Sequence, residues 1–475
     1  MLNHTIKFIL ILILIFTPIA FGSMELWAFS MMEMGILLLI ILWSIHNIRY
    51  SSNIGSFNKF AMRAPNSAFP TLILFLFVAF VFLQMIPIPA GVLKILSPKT
   101  YELRHVFANV IPQSAIRNAQ FPISFMPLAT KIEFFKWLAL GGFFLFLLHW
   151  RFPGDEHSTL LQLIAVIFLV GVFESLYGMF EFFSGHHHIL HLKGISSVTG
   201  TFINRNYFAG YLLMVIPLSM GLFFSREVLR TGGFKGWRRR LSSLDGKTLL
   251  IGFGIIVMIL GLLFSASRMG ILSLLLSFTL ISILFKTSQK GKGFSKTSLL
   301  ILGLALLWAV WIGLDAVIGR FFNVSEDLKW RWTVWADTFK VVKDFPTLGS
   351  GLGTFSQIFP MYKSFHIRRF VSHAENDFLQ LASEVGLIGL GVLFLLFIFL
   401  FFRAVSGIRS LSHSESQRYI GMGSLVGVVA LMFHSMVERN LQIPANAFLF
   451  TFLWALVLRI DSFKQSEKVT TGEAR

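Results

Sequence analysis

The sequence predicts an all-α, polytopic membrane protein of about twelve transmembrane helices, on three observations. Hydrophobic residues make up 55% of the 475 positions and charged residues only 13%, with a mean hydropathy of +0.73. That balance lies outside the range of water-soluble domains. The apolar residues also gather in runs long enough to cross a bilayer. Finally, basic residues concentrate in alternate connections between those runs, as loop charge does when it sets topology. The net charge of +18 therefore reflects orientation and calls for no nucleic-acid partner. The chain has no cysteine, so disulfides, thiolate nucleophiles and cysteine-ligated metals are excluded.

In chain order, spans are expected at 6–21, 27–45, 70–87, 133–149, 159–183, 206–224, 248–264, 269–285, 298–318, 385–402, 419–437 and 443–458. Only Ser265–Arg268 separates the seventh from the eighth, so those two form a tight hairpin. Lys7, the apolar run after it and Ala20-Phe21-Gly22 resemble a signal peptide with a small-x-small site; ahead of so many spans we read a retained signal-anchor. The organisation that follows is 1–318 for the first nine helices, 319–384 for a polar loop, 385–460 for the last three helices and 461–475 for a polar tail.

Loop charge sets the orientation. Connection 225–247 holds Arg226, Arg230, Lys235, Arg238, Arg239, Arg240 and Lys247 against Glu227 and Asp245, and 286–297 holds four lysines and no acid. These, with 46–69, 403–418 and the tail, share one side when both termini are cytoplasmic, in keeping with the positive-inside rule. Loop 319–384 is then external, together with Ser265–Arg268, 184–205 and 88–132. The last carries Lys94, Lys99, Arg104, Arg117 and Lys131, and long loops translocate largely regardless of charge.

Loop 319–384 concentrates charge, aromatic residues and glycines in a chain that is otherwise mostly hydrocarbon. Leu328, Trp332, Trp335, Phe339 and Val342 recur at helical spacing and define an apolar face, with Arg331, Asp337 and Lys343 off it. Further on, His373, Asn376, Asp377, Gln380 and Glu384 fall three or four apart, as a polar stripe on a helix that enters the next span. Lipid cannot solvate such a stripe, so it must face protein or a wet cavity.

Each candidate has a plainer alternative. His373 is either a packing loop histidine or a base, since a neutral imidazole removes a proton from a hydroxyl. Arg268, in the Ser-Ala-Ser-Arg-Met-Gly turn, is a snorkelling anchor or an anion contact, and Arg331 is a solvated charge or the same. Asn204, Arg205 and Asn206, at a membrane entry, either bind sugar hydroxyls and phosphate or cap a helix. His186, His187, His188 and His191 lack a strong metal spacing, and no metal or other cofactor is expected. The run Gly349-x-Gly351-x-Gly353 lacks the context of a nucleotide loop and reads as a tight turn joining the loop helices. Asp327, Asp337 and Asp344 read as solvated charges, or else as metal ligands or bases.

Four motifs in this order resemble the O-antigen ligase family: G-T-F-x-N-x-N-x-F-A at 200–209, S-R at 267–268, W-x-D-x-x-K-x-x-x-D-x-P-x-x-G-x-G at 335–351 and H-A-E-N-D-x-L-Q-x-x-x-E-x-G at 373–386. This superfamily of bacterial membrane glycosyltransferases includes O-antigen ligases, O-antigen and exopolysaccharide polymerases and periplasmic oligosaccharyltransferases. The resemblance implies a GT-C-like fold with a helical periplasmic loop between helices 9 and 10, in the bacterial inner membrane. It implies inverting, metal-independent transfer of a glycan from undecaprenyl diphosphate to an acceptor hydroxyl. The family's loop histidine falls on His373, its hairpin arginine on Arg268 and its early-loop arginine on Arg331, with Arg320 as a rival. Asp377 would orient the imidazole, while Asn204, Arg205, Asn206, Asn376 and Gln380 would line the substrate site.

Three readings stay open: a ligase acting on lipid A–core, a polymerase extending a growing polysaccharide, and a transporter or flippase. The last draws on Glu174 and Glu181 in or near the fifth span. The partners expected are the lipid-linked donor, the glycan acceptor and membrane lipid.

Overall fold

The computed structural model describes residues 2–52, 68–108, 120–190, 192–193, 197–231, 245–284, 303, 324–365, 370–411 and 415–470. Helices α1 (Leu2–Ile19) and α2 (Leu26–Ser52) are joined by a 3-10 turn at Phe21–Ser23. Helix α3 (Ala68–Met85) leads into strand β1 (Pro87–Pro89), helices α4 (Ala90–Leu96) and α5 (Pro98–Ala108), and strand β2 (Gln120–Pro122). The two strands pair antiparallel, Ile88 opposite Phe121. Helices α6 (Pro127–His149) and α7 (Glu156–Phe183) follow, then a minimal hairpin of β3 (His188–Ile189) and β4 (Leu192–Lys193). The remaining helices are α8 (Arg205–Thr231), α9 (Gly246–Phe264), α10 (Arg268–Leu284), α11 (Val324–Asp344), α12 (Phe355–Ile358), α13 (Asp377–Ser410), α14 (Glu415–Ser435) and α15 (Pro444–Thr470).

Among the described residues, eight helices are long and apolar enough to cross a membrane: α1, α2, α3, α6, α7, α8, α9 and α13. The apolar parts of α10 (Arg268–Leu280) and α15 (Pro444–Arg459) are shorter. Helix α14 covers the run expected at 419–437 but is not one of the eight. Apart from Gly303, the run at 298–318 lies outside the described residues, as do Arg320 and His191. The chain is thus an all-α multi-pass membrane protein.

Helix α8 sits at the centre, its apolar window wholly buried, and α14 packs along it. The two backbones touch: a Cβ on Gly423 would lie 2.2 Å from the Pro217 carbonyl oxygen. Small residues let helices approach in this way where lipid supplies no hydrophobic drive. At the periphery, α3 and α13 expose Leu72, Phe75, Leu387, Phe394 and Leu395, side chains that hydrocarbon solvates well.

Two expectations about the polar loop are corrected. The stripe does not run unbroken into the membrane, because α13 begins at Asp377, leaving His373 in the loop before it, and is interrupted at Gly386 (φ 64, ψ −176). The break releases two carbonyls, and the glycine turn claims them: Ser350 N donates to Ser383 O (3.0 Å) and Gly351 N to Glu384 O (2.9 Å). In return, Leu387 N donates to Pro346 O (2.8 Å) and Ile388 N to Thr347 O (3.3 Å). Gly349, at φ 73, fits only without a side chain, since a Cβ there would lie 2.2 Å from Glu384. The glycine run is a tight turn, and its main partner is the break in α13.

The buried face of α11 also differs from the expected one. Of the expected face, Val342 is buried and Trp335 half-buried, but Trp332 and Phe339 are exposed, whereas Val334, Asp337, Thr338 and Val341 are buried. Asp337 is not a solvated charge: it accepts from Lys340 Nζ (2.7 Å), Ser364 N (2.8 Å) and Ser364 Oγ (2.9 Å). Those partners make burial of the polar side tolerable, which leaves Trp332 and Phe339 outward.

Candidate active site

The polar residues converge at one end of the bundle, on the short connection 436–443 between α14 and α15. Glu438 is its centre and is buried. Its Oε1 accepts from Asn206 Nδ2 (2.5 Å) and from Arg331 Nη2, while Arg331 Nη1 donates to the Val437 carbonyl. Asn206 lies in the first turn of α8 and Arg331 in α11, so residues more than a hundred positions apart share one carboxylate oxygen. Burial pushes the Glu438 carboxyl up, Arg331 pulls it down and the neighbouring Glu375 pushes it up again, leaving it above the ordinary carboxylate range. Next along, Arg439 Nε donates to the Tyr207 hydroxyl, with the guanidinium 5.1 Å from the ring centroid.

The same connection reaches α13. Asn440 N and Leu441 N both donate to Asp377 Oδ2 at 2.8 Å, and Asn440 Nδ2 lies 3.1 Å from His434 Nδ1. His434 Nε2 is 3.5 Å from Ser267 Oγ, the residue before Arg268. Arg268 itself is half-buried and opens α10, just past a turn in which Ala266 takes φ 52. The hairpin, the 436–443 connection and the start of α13 thus form one hydrogen-bonded chain.

His373 is half-buried and held from both sides through its neighbour Ala374. Trp335 Nε1 of α11 donates to Ala374 O (3.0 Å), and Ala374 N donates to Gln380 Oε1 (3.1 Å). Gln380 Nε2 donates to Glu384 Oε1 (3.1 Å) and lies 3.4 Å from His373 Nδ1. Ala374 and Glu384 together fix which way the amide points. An amide NH₂ only donates, so this contact favours an unprotonated Nδ1, the state a base needs. The position next to the imidazole that was expected of Asp377 is held by Gln380, because Asp377 is turned to the backbone of 440–441. Glu384 also accepts from Gly353 N (2.9 Å) and Phe355 N (3.3 Å).

Two asparagines prove to be caps. Asn204 Oδ1 accepts from Asn206 N (2.8 Å) at the start of α8, and Asn376 Oδ1 accepts from Leu379 N (2.9 Å) at the start of α13. Arg205, the first residue of α8, is half-buried and stands beside this network without joining it among the described residues. Glu174 latches a loop, accepting from Thr201 N (2.7 Å) and Thr201 Oγ1 (2.8 Å).

Beside the cluster, an apolar cavity of about 210 Å³ runs between α3, α6, α13 and α15. Leu74, Phe144, Phe397 and Trp454 line it, and Lys136, Asp377, Gln442 and Thr451 are among its polar residues. Lys136 is buried, pairs with Glu133 (2.5 Å) and donates to Gln442 Oε1 (3.3 Å).

Sequence reasoning missed His434, Glu438, Arg439, Asn440 and Gln442. The signal was present: Val-Glu-Arg-Asn-Leu-Gln at 437–442 sets two charges between adjacent apolar runs, on the side assigned to loop 319–384.

A family model described as O-antigen ligase matches residues 253–394. That stretch holds the hairpin, loop 319–384 and α13 beyond its break, and so includes Arg268, Arg331, His373, Asp377 and Gln380. The chain is also similar to the exopolysaccharide production protein ExoQ of Rhizobium meliloti (strain 1021), at 26% identity over 266 residues. The similarity covers 54% of this chain and 58% of that protein, so the chain matches little more than half the length of this relative. Three of the four motifs, at 267–268, 335–351 and 373–386, lie within the stretch of this multi-pass membrane protein that matches the O-antigen ligase family model, and the motif at 200–209 lies outside it.

Proposed function

We propose that the protein transfers a glycan from a polyprenyl diphosphate, undecaprenyl diphosphate in bacteria, to an acceptor hydroxyl at the periplasmic face of the inner membrane. The observation that carries this reading is the convergence of Arg331 and Asn206 on Glu438, one connection away from the Arg268 hairpin and the His373 loop. Guanidinium groups suit a diphosphate leaving group, whose negative charge builds as the glycosidic bond breaks. The adjoining apolar cavity suits the hydrocarbon of a lipid-borne substrate.

In the mechanism, Arg268 and Arg331 neutralise the diphosphate. The acceptor oxygen attacks the anomeric carbon on the face opposite the phosphate, inverting the centre, and its proton passes to His373 Nδ1 as the acceptor hydroxyl takes the place of the Gln380 amide there. The C–O bond to the diphosphate breaks, and that oxygen keeps the electron pair. Gln380 holds the ring in its unprotonated form, and no metal takes part. Lipid A–core as acceptor makes the enzyme an O-antigen ligase. A second reading, an exopolysaccharide or O-antigen polymerase, is favoured by the exopolysaccharide-producing relative. The engagement of Glu174 with Thr201 weighs against a transport pathway through α7.

Transfer of labelled glycan by purified protein in detergent tests the reaction, because a transporter has no compartments to work between there. His373→Ala is expected to abolish transfer with insertion and folding intact, and full activity would remove the histidine from the mechanism. Glycan profiles of a deletion strain separate the acceptors: free lipid-linked polymer marks a lost ligase, and single-repeat material a lost polymerase.

A further inference from the structure

Glu438 lies outside the stretch that matches the family model, yet it is the residue on which the site closes. Its two oxygens have different surroundings. Oε1 takes both Asn206 and Arg331. Oε2 is buried without a hydrogen-bond donor, while Glu375, a neighbour of the same carboxyl, raises its hold on a proton. Two carboxylate oxygens cannot bond to each other unless a proton lies between them. Glu375 is also in an unusual backbone state: at φ 52 it is one of few non-glycine residues with positive φ among those described. Backbone strain of this kind persists where surrounding contacts impose it, and it clusters at functional sites.

We propose that Glu438 is a positioning residue of the transfer site: one carboxyl oxygen fixes Arg331 and Asn206, and the other shares a proton with Glu375. This rests on the glycan-transfer reading and deepens it by saying how the site admits an anion. With the proton held, Glu375, Glu438 and Arg331 sum to zero charge, and a diphosphate meets no net repulsion. With the proton lost, the trio carries one negative charge and opposes the ligand. The groups facing Glu438 are Arg331 from α11, Asn206 from α8 and Glu375 from the loop before α13. Arg439, on Glu438's own connection, is engaged with Tyr207. Burial and the second carboxyl both favour holding the proton, so it is lost only as pH rises above the ordinary carboxylate range. Diphosphate affinity therefore falls as pH rises through that titration.

The test measures binding of undecaprenyl diphosphate, without glycan, to the full-length protein in detergent at about pH 6 and pH 9. Wild-type Kd is expected to rise about tenfold between the two, the repulsion of one added charge. Glu438→Gln is permanently neutral and can donate to Glu375, and it should hold that change under about threefold. Glu438→Ala removes the shared acceptor of Arg331 and Asn206 and should weaken binding about tenfold relative to wild type at pH 6, with little further change at pH 9 because the titrating carboxyl is gone; a thermal melt reports whether it folds. The ligand's own titration is common to all three proteins and cancels in the comparison. If Glu438→Gln keeps the wild-type pH slope, the shared proton is refuted. If a folded Glu438→Ala binds as the wild type does at pH 6, the positioning role is refuted, and the donor assignment stands in both cases. Failure of the wild type to bind prenyl diphosphate at either pH overturns the donor assignment and this inference together.

Discussion

Glu384→Ala offers a decisive test of how the loop is held. The carboxylate is about 1% exposed and accepts from Gly353 N, Phe355 N and Gln380 Nε2 at 2.9, 3.3 and 3.1 Å. Alanine leaves all three donors without their acceptor, each at a cost of about 1–3 kcal/mol. Entering water and small backbone shifts offset part of this, so the net loss is about 3–5 kcal/mol. The effect also reaches the chemistry. Gln380 keeps only Ala374 N to fix its amide, and the His373 imidazole loses a fixed neighbour, so transfer should fall about tenfold or more. Melting in detergent by fluorescence-detected size exclusion should drop by at least about 5 °C. Glu384→Gln should fall between, since one amide oxygen still accepts while the NH₂ faces a donor. A Glu384→Ala protein that melts within about 1 °C of wild type and transfers glycan at the wild-type rate refutes the reasoning.

Gly386→Ala should destabilise by about 3 kcal/mol or more, because φ 64 with ψ −176 is nearly glycine-only and the new Cβ would lie 2.2 Å from the Thr347 oxygen; the same melting assay reads it. Arg331→Lys keeps the charge but not the fork that reaches Val437 O and Glu438 together, so donor KM should rise about tenfold, and an unchanged KM would remove Arg331 from donor binding. Asp337 has its carboxyl held below the ordinary range: burial pushes it up, but the bonds from Lys340 and Ser364 outweigh that. A depressed folded-state value means stability present above the unfolded value and lost as pH falls through the folded one. Asp337→Asn should therefore melt lower than wild type near neutral pH, with the gap closing below about pH 3.

Much of the membrane plan was legible in the sequence because hydrocarbon imposes a simple rule: apolar runs of sufficient length become helices. Six of the eight long apolar stretches begin and end within four residues of their runs, and α6 begins six residues early. Helix α13 is the exception, since its polar start belongs to the loop. The motif residues were legible as chemistry and less so as geometry. Asn204 and Asn376 sit where capping asparagines belong, and only coordinates reveal that their oxygens are spent on backbone N–H groups. The buried face of α11 was misread because periodicity ranks aromatic residues as core. Periodicity has no knowledge of Glu438, Lys340 and Ser364, which make Arg331 and Asp337 tolerable inside. Glu438 itself escaped notice because its importance lies in partners far away in the chain.

The interruption at Gly386 divides α13 into two mechanical parts. The residues before it are clamped by the glycine turn, by Gln84 of α3 (through Leu348 O, 2.7 Å, and Leu352 N, 3.1 Å) and by the 440–441 backbone. Those after it present Leu387, Ile388, Phe394, Leu395 and Phe402 outward, toward the lipid. A rod continuous through this point would pass every change of bilayer thickness or tilt directly to Gln380 and the imidazole beside it. Here the break is bonded on both sides to the 346–351 segment, through Ser383 O and Glu384 O before it and Leu387 N and Ile388 N after it, so that segment, and not the lipid-facing rod alone, fixes where Gln380 and the imidazole stand.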